Sequence, residues 1–386
     1  MNAPIIREPV RTAVSDLKDP AAAAGEIFQQ LSHPEIGFVL FFCSAEYDLE
    51  VLSSALDAHF GDISVAGCTT AGEVTPEGYD RGSITAIGFD RNLFAIDVEL
   101  VESLDRFSLS NAQELVSRLV GSCREARVAP IKGHSFALTL LDGLSSQEEM
   151  VLMTLNSALG SIPLFGGSAG DDIHLTNTHV YYQGRFHTQA AIVILVSTPL
   201  DFEVFTTHHL RPLNEKMVVT ASDPRTRTVF ELNAAPAAEE YAALVGMRVE
   251  DLDVSTFALR PLAVRIGQEY YVRSIQRVNP DGSLTFYCAV ENGIVLTAMK
   301  PDSLLDDLSG HFDRIEAEIG QPLITIGCDC FLRRMELELN GEEETMSRFL
   351  QAHRVIGFNT YGEQYDGMHI NQTFTGVVIG QRNRNG

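Results

Sequence analysis

Short apolar runs alternate with amphipathic stretches along this chain, and one order of them returns three times. Phe38-Val-Leu-Phe-Phe-Cys reads as an apolar strand. From Ser44 to Phe60 the spacing turns helical, with Leu49, Leu52, Leu56 and Phe60 on one side. A second strand runs into Gly67-Cys-Thr-Thr-Ala-Gly-Glu73, and the strand Ser83-Ile-Thr-Ala-Ile-Gly-Phe follows.

In the second copy, Phe136-Ala-Leu-Thr-Leu-Leu is a strand, and Ser145-Ser-Gln-Glu-Glu opens a helix with a capping-box pattern, Ser145 with Glu148. That helix carries Met150 to Leu159 into Ile162-Pro-Leu-Phe-Gly-Gly-Ser-Ala-Gly-Asp-Asp172, and strands His179–Tyr182 and Ala190–Val196 close the unit. The third copy places a strand at Leu323-Ile-Thr-Ile-Gly-Cys, a helix from Glu342 to His353, the turn Val355-Ile-Gly-Phe-Asn-Thr-Tyr-Gly-Glu363 and a closing strand Phe374-Thr-Gly-Val-Val-Ile-Gly. A hydroxyl residue, a spacer, glycine and a carboxylate recur at one place in each copy: Thr70-Ala-Gly-Glu73, Ser168-Ala-Gly-Asp171 and Thr360-Tyr-Gly-Glu363.

Ahead of the copies lies a short leader with a helix around Ala21–Leu31. Between the second and third lies a joining stretch from Pro199 to about Glu250, then a strand-rich section (Arg260–Ile266, Glu269–Gln276 and Ser283–Val290) with Asp281-Gly282 as a hairpin turn. The units lack the helical crossovers that a wholly parallel sheet needs. The expected fold is therefore α/β (α+β), with mixed, largely antiparallel sheets and outer helices built from repeated strand–helix–strand units. Expected divisions are 1–34 (leader and helix), 35–200 (two repeats, one pseudo-symmetric body) and 201–386 (strand-rich insert plus third repeat, a second body).

Composition narrows the function. A net charge of −24 disfavours nucleic acid and anionic membranes; Arg333-Arg334, the one adjacent basic pair, is flanked by acids. No apolar run approaches the roughly 20 residues of a membrane span, and the N-terminus lacks the layout of a signal peptide. Six scattered cysteines do not form a disulfide pattern. The expectation is a soluble protein of a reducing cytoplasm.

The recurring corners carry the candidate chemistry. Gly72, Gly170 and Gly362 permit a positive φ and close approach of a ligand. If the corners converge, Thr70, Glu73, Ser168, Asp171, Asp172, Thr360 and Glu363 line one polar pocket. The alternative is that these side chains bond the backbone of their own turns. Phosphate is a poor guest, since the corners lack the lysine of a P-loop and carry acids; a metal held by the carboxylates is a further alternative.

Ala-Gly-Cys-Thr-Thr-Ala-Gly-Glu, Phe-Gly-Gly-Ser-Ala-Gly-Asp-Asp, Gly-Phe-Asn-Thr-Tyr-Gly-Glu-Gln and the segment Gly367-Met-His-Ile-Asn-Gln-Thr-Phe-Thr-Gly376 closely resemble the FIST family over residues 35–380, with its paired N- and C-terminal regions. The resemblance implies a non-enzymatic sensory module of signal transduction and adds Asn371 to the ligand set. It also implies a separate signalling partner, because no transmitter domain is fused here. Stand-alone FIST proteins of this layout look like the bacterial NosP group. For that group the implied cofactor is haem, the ligand nitric oxide, and the partner a histidine kinase acting on biofilm behaviour. A sensor of a small polar ligand such as an amino acid, without haem, is the alternative, and a homodimer is compatible with either.

A haem needs an axial ligand, an apolar pocket and often cations for its propionates. His208 and His209 in Thr207-His-His-Leu-Arg211 come first, with Arg211 for a propionate, and His369 second; His174, His179 and His187 flank the second corner. His353 reads as a helix cap. Cys328-Asp-Cys330 is one spacer short of a zinc or redox pair, and Cys43 and Cys328 both end a first strand, as buried small residues would. An acyl-transfer enzyme would use Cys68 or Ser168 with a neighbouring histidine, but no nucleophile elbow and no consistent histidine accompany the corners.

Overall fold

In the strand Ile36–Ser44, Phe38, Leu40 and Phe42 point to one face while Val39, Phe41 and Cys43 point to the other, and both sets are buried. Period-two alternation with both faces covered is what makes the run apolar throughout. The outward set packs under the helices Pro20–Leu31 and Leu49–Phe60. Asp19 caps the first through Ala22 N, with Pro20 at its start; Asp48 caps the second through Glu50 N and Val51 N. The inward set joins Phe136, Leu138 and Leu140 of Ser135–Leu141, and Ile324, Ile326 and Cys328 of Pro322–Cys330, in one central core.

The computed structural model describes residues 9–383, and each repeat is longer than the sequence pattern implies. Its full order is strand, helix, strand, helix, strand, hairpin, strand. The first unit runs from Val10–Ser15 to Ile84–Asp90, the second from Ala95–Val101 to Ala191–Ser197. The third starts with Leu200–Thr207, is interrupted, and resumes with the helix Leu304–Ile319 through to Phe374–Asn383. Each unit's sheet has a single parallel pair, Ile36–Ser44 with Ser64–Thr70 in the first, and its other pairings are antiparallel. Helices cover the outer faces, so the architecture is mixed α/β with largely antiparallel sheets.

The units exchange their hairpins in a closed cycle. The first unit's hairpin (Glu73–Thr75, Gly78–Asp80) adds to the third unit's strand Val355–Thr360. The third unit's hairpin (Glu363–Tyr365, Met368–Ile370) adds to the second unit's Leu164–Ser168. The second unit's hairpin (Val180–Tyr182, Arg185–His187) adds to the first unit's Ser64–Thr70. Across the centre Phe42 stacks on Phe358 with ring centroids 4.6 Å apart. Burial of each such ring contributes about 2–3 kcal/mol.

Residues 208–303 form the interruption, which carries its own eight-stranded sheet and core around Val219, Tyr241, Phe257 and Phe286. The two-body division expected above differs from this arrangement. The third repeat interlocks with the first two, and what stands apart is the insert, which leaves after Thr207 and returns before Leu304. The described part of the leader belongs to the first unit, Val10–Ser15 pairing with Ile84–Asp90. Residues 1–8 and 384–386 lie outside the described part. Asp281-Gly282 turns between Ile275–Val278 and Leu284–Phe286, as expected, with Gly282 at φ 80°. The capping box at Ser145 does not form: Gln147 occupies the cap position, and Glu148 turns inward. No described helix is long and apolar enough to cross a membrane.

Candidate functional site

Hairpin exchange brings the three corners together. Ala71 N donates to Asn359 O at 2.9 Å, Gly170 N to Thr69 O at 3.0 Å, Asp172 N to Thr70 O at 2.9 Å and Ser168 N to Gly362 O at 2.8 Å. Each corner thereby closes on its neighbour's strand end. Within the first, Thr70 bonds Glu73, whose other oxygen accepts from Ser83 N at 3.2 Å and Ser83 Oγ at 3.1 Å. The third repeats this with Thr360, Glu363 and Thr373, at 3.0 and 2.9 Å. Burial pushes both carboxyls up to about 8, so they are neutral near pH 7. Their oxygens are taken up within their own units, by the turn threonine and by the first residues after the hairpin.

Of the three corner glycines, Gly72 alone has a positive φ, 139°. The other two are needed for space. A Cβ at Gly170 would lie 2.4 Å from Ala71 N, and one at Gly362 would lie 2.2 Å from His369 Cε1.

The second corner breaks the pattern. Asp171 turns away from Ser168 and accepts from Leu175 N, Thr176 N and Asn177 N, with Tyr361 OH as a further donor. Ser168 Oγ instead donates to Glu148 Oε1 at 3.1 Å. Glu148 and Glu149 share Arg227, which comes from the insert. Asp172 reaches the first unit, accepting from Ser44 Oγ at 2.8 Å and Ala45 N at 3.0 Å, and lines a small cleft with Lys18, Arg81 and His174. Asn371 bonds Ser274 N of the insert at 3.2 Å.

The histidines separate sharply. His209 is buried, and both its ring nitrogens are engaged. Arg333 NH1 donates to Nδ1 at 3.2 Å, so Nε2 carries the proton and donates to Glu336 at 2.9 Å. Arg333 also binds the buried Asp329, which Tyr79 meets as well. Ligation of iron by His209 would dismantle this network, and Arg211, the expected propionate partner, pairs with Asp302. His369 is buried against Gly362. His179 and His187 are half-buried and His174 is exposed. His353 sits at the end of the helix Glu343–Ala352, against Phe312 and Phe349. The six cysteines are all buried and unpaired.

His208 borders a cavity of about 390 Å³ at the seam between insert and third unit. Tyr270, Tyr271 and Val272 come from an insert strand, Asp307 and His311 from the helix Leu304–Ile319, and Tyr365, Asp366, Met368 and Ile370 from the third unit's hairpin. His208 Nδ1 is buried without a hydrogen-bond partner, and burial lowers its pKa. Thr207 holds Asp307 in place. Three aromatic rings and three carboxylates, Glu269 among them, line this space, with no lysine or arginine among the lining residues. Sequence reasoning found His208 here but none of the tyrosines, because they become neighbours only when the insert folds back on the hairpin.

The uncharacterized protein MJ1623 of Methanocaldococcus jannaschii is 21% identical over 410 aligned residues, covering 94% of this chain and 78% of that one. A family model for the FIST N domain matches residues 37–235, and one for the FIST C domain matches residues 237–366. FIST domains are sensory modules of signal transduction, and with both halves matched in order, this chain belongs to the FIST family.

Proposed function

We propose that this chain senses a small amine-bearing molecule, such as an amino acid, in the cavity between the insert and the third unit, and relays its binding to a separate signalling partner. The observation that carries this reading is the lining itself. Tyr270, Tyr271 and Tyr365 offer ring faces, and Glu269, Asp307 and Asp366 offer negative charge, the combination that holds an ammonium group. A volume of about 390 Å³ falls in the range of small-molecule sites. A guest that touches both the insert strand and the hairpin favours the arrangement in which they are apposed, and so shifts the insert's position. A histidine kinase, the partner class implied by the family resemblance, would read that surface.

A haem fits these residues less well. His208 and Met368 could ligate iron, but the carboxylates around them oppose propionates, and His209 is already committed to Arg333 and Glu336. The two readings part in one experiment. Protein expressed with ample haem supply is purified and its absorption spectrum recorded, followed by calorimetry against amino acids and simple amines. Colourless protein that releases heat with an amine, and loses it in Asp307→Asn, supports the proposal. A Soret band that shifts with nitric oxide and disappears in His208→Ala overturns it in favour of haem-based sensing.

A further inference from the structure

Where the second corner departs from the other two, buried polar atoms accumulate without partners. Both ring nitrogens of His369 and Ser274 Oγ are buried without a hydrogen-bond partner there. Native proteins rarely leave such groups empty, and an ion is one of the standard reasons when they do. At the same place Glu149, Cys288 and His369 bring one carboxylate oxygen, one sulfur and one ring nitrogen within 4.8 Å of one another. A tetrahedral zinc with bonds of about 2.0–2.3 Å holds its ligand atoms roughly 3.3–3.8 Å apart, inside that limit.

We propose that Glu149, Cys288 and His369 form a binding site for a divalent transition metal ion, zinc being the best match. Sulfur, imidazole and carboxylate together are a zinc donor set, and three protein ligands leave a fourth position open. His369 provides the observation that separates this cluster from a chance grouping: it is 3% exposed, neither ring nitrogen makes a hydrogen bond within 3.5 Å, and Glu148 Oε1 stands 4.0 Å from Nε2. The surroundings fit as well. Ala289 N donates to Glu149 Oε1 at 2.8 Å and Arg227 to Oε2 at 2.9 Å, fixing the carboxylate's direction. Burial would raise Glu149, but the neighbouring Arg227 outweighs it and holds the group down to about 2. Burial pushes Cys288 up to about 12 and His369 down to about 4. An ion bound here would displace the thiol proton of Cys288. Without the ion, the Cys288 thiol donates to Asn371 Oδ1 at 3.0 Å.

The three ligands come from three parts of the fold: the second unit's helix, the insert and the third unit's hairpin. An ion here would pin the insert to the body. This site is separate from the tyrosine-lined cavity, and its test does not depend on the ligand proposed there.

The test is metal content by mass spectrometry of protein expressed in zinc-supplemented medium and passed through gel filtration. Wild type should retain close to one zinc per chain, and Cys288→Ser and His369→Gln close to none. By competition with a chromophoric chelator, Glu149→Gln should bind at least roughly 100-fold more weakly, beyond the loss of an outer partner. Cys328→Ser, outside the cluster, should keep its zinc. Should the cluster variants fail to fold, cobalt-loaded wild type still decides the matter through a thiolate-to-cobalt charge-transfer band. Absence of zinc from the wild type, equal zinc in Cys288→Ser, or a cobalt spectrum without that band overturns the assignment.

Discussion

Glu148 accepts a hydrogen bond from Ser168 Oγ at 3.1 Å, and a helix residue of the second unit thereby takes the position that Glu73 and Glu363 hold beside their own threonines in the other two. The substitution of one carboxylate source for another breaks the three-fold pattern and brings Arg227 of the insert into the body. Glu148→Ala should therefore destabilise the chain by about 3 kcal/mol, the cost of stranding part of a buried ion pair. Glu148→Gln, which keeps the bond to Ser168, should cost less. Urea unfolding of the two variants beside wild type measures the difference.

Glu73 and Glu363 make stability depend on pH in an unusual direction. Burial pushes each from 4.5 up to about 8. Between those values the folded chain holds protons that the unfolded chain has released. Stability contributed by these groups is therefore intact below about 4.5, falls as pH rises toward about 8, and levels off above. Glu73→Gln keeps a neutral hydrogen-bonding group and should flatten the slope. Denaturation midpoints across this window should converge for wild type and variant at the acidic end and diverge at the alkaline end, the variant being the more stable there.

His369 works in the opposite sense. Its folded form stays neutral down to about 4, against 6.5 for the free side chain, so the unfolded chain binds more protons between these values, and stability drops as pH falls through them. His369→Gln should remove that loss. Midpoints measured in metal-free buffer between about pH 6 and about pH 4 test this.

At the corners, glycine is required by close packing more than by conformation. Gly170→Ala forces a methyl group toward the backbone of Ala71, and Gly362→Ala forces one into the ring of His369. Each should destabilise by about 2–3 kcal/mol. An alanine at Gly121, around which a Cβ meets nothing within 4 Å, should instead be tolerated or help its helix. Thermal melting of the three variants provides the comparison.

Hairpin exchange predicts that the first unit cannot stand alone. Expressed by itself, a fragment of residues 9–94 would lack the hairpin that covers Ser64–Thr70 and would present its own hairpin unpaired. It should be largely unfolded or should self-associate by strand exchange. Gel filtration with circular dichroism distinguishes these outcomes from an independently folded monomer, which would contradict the interlocked arrangement.

The repeats and their corners were legible in the sequence because each carries a strong local signal: an apolar run, a helical period and a glycine turn within about 60 residues. Long-range pairing was not. Nothing local tells that Glu73–Thr75 pairs with Val355–Thr360, about three quarters of the chain away. The helix Phe331–Asn340 also escaped notice, since it follows the strand at Cys330 with no side-chain cap to mark its start. Leu210–Asp223 reads as part of a joining stretch because its exposed and buried residues alternate irregularly and a bulge interrupts it. His209 looked like a free ligand beside His208, and only its fold partners, Arg333 and Glu336, more than a hundred residues on, show it to be structural. Cys288 and Arg227 carried no motif at all. Their meaning lies in what the insert touches when it lands.

Because the three units close into a ring of borrowed hairpins, no described edge of the ring is left unpaired by its neighbour. Shape change is cheapest where that ring is not involved, and the segment hung between Thr207 and Leu304 is the part so placed. A relay of the kind proposed above would keep a stiff frame and move a single tethered panel.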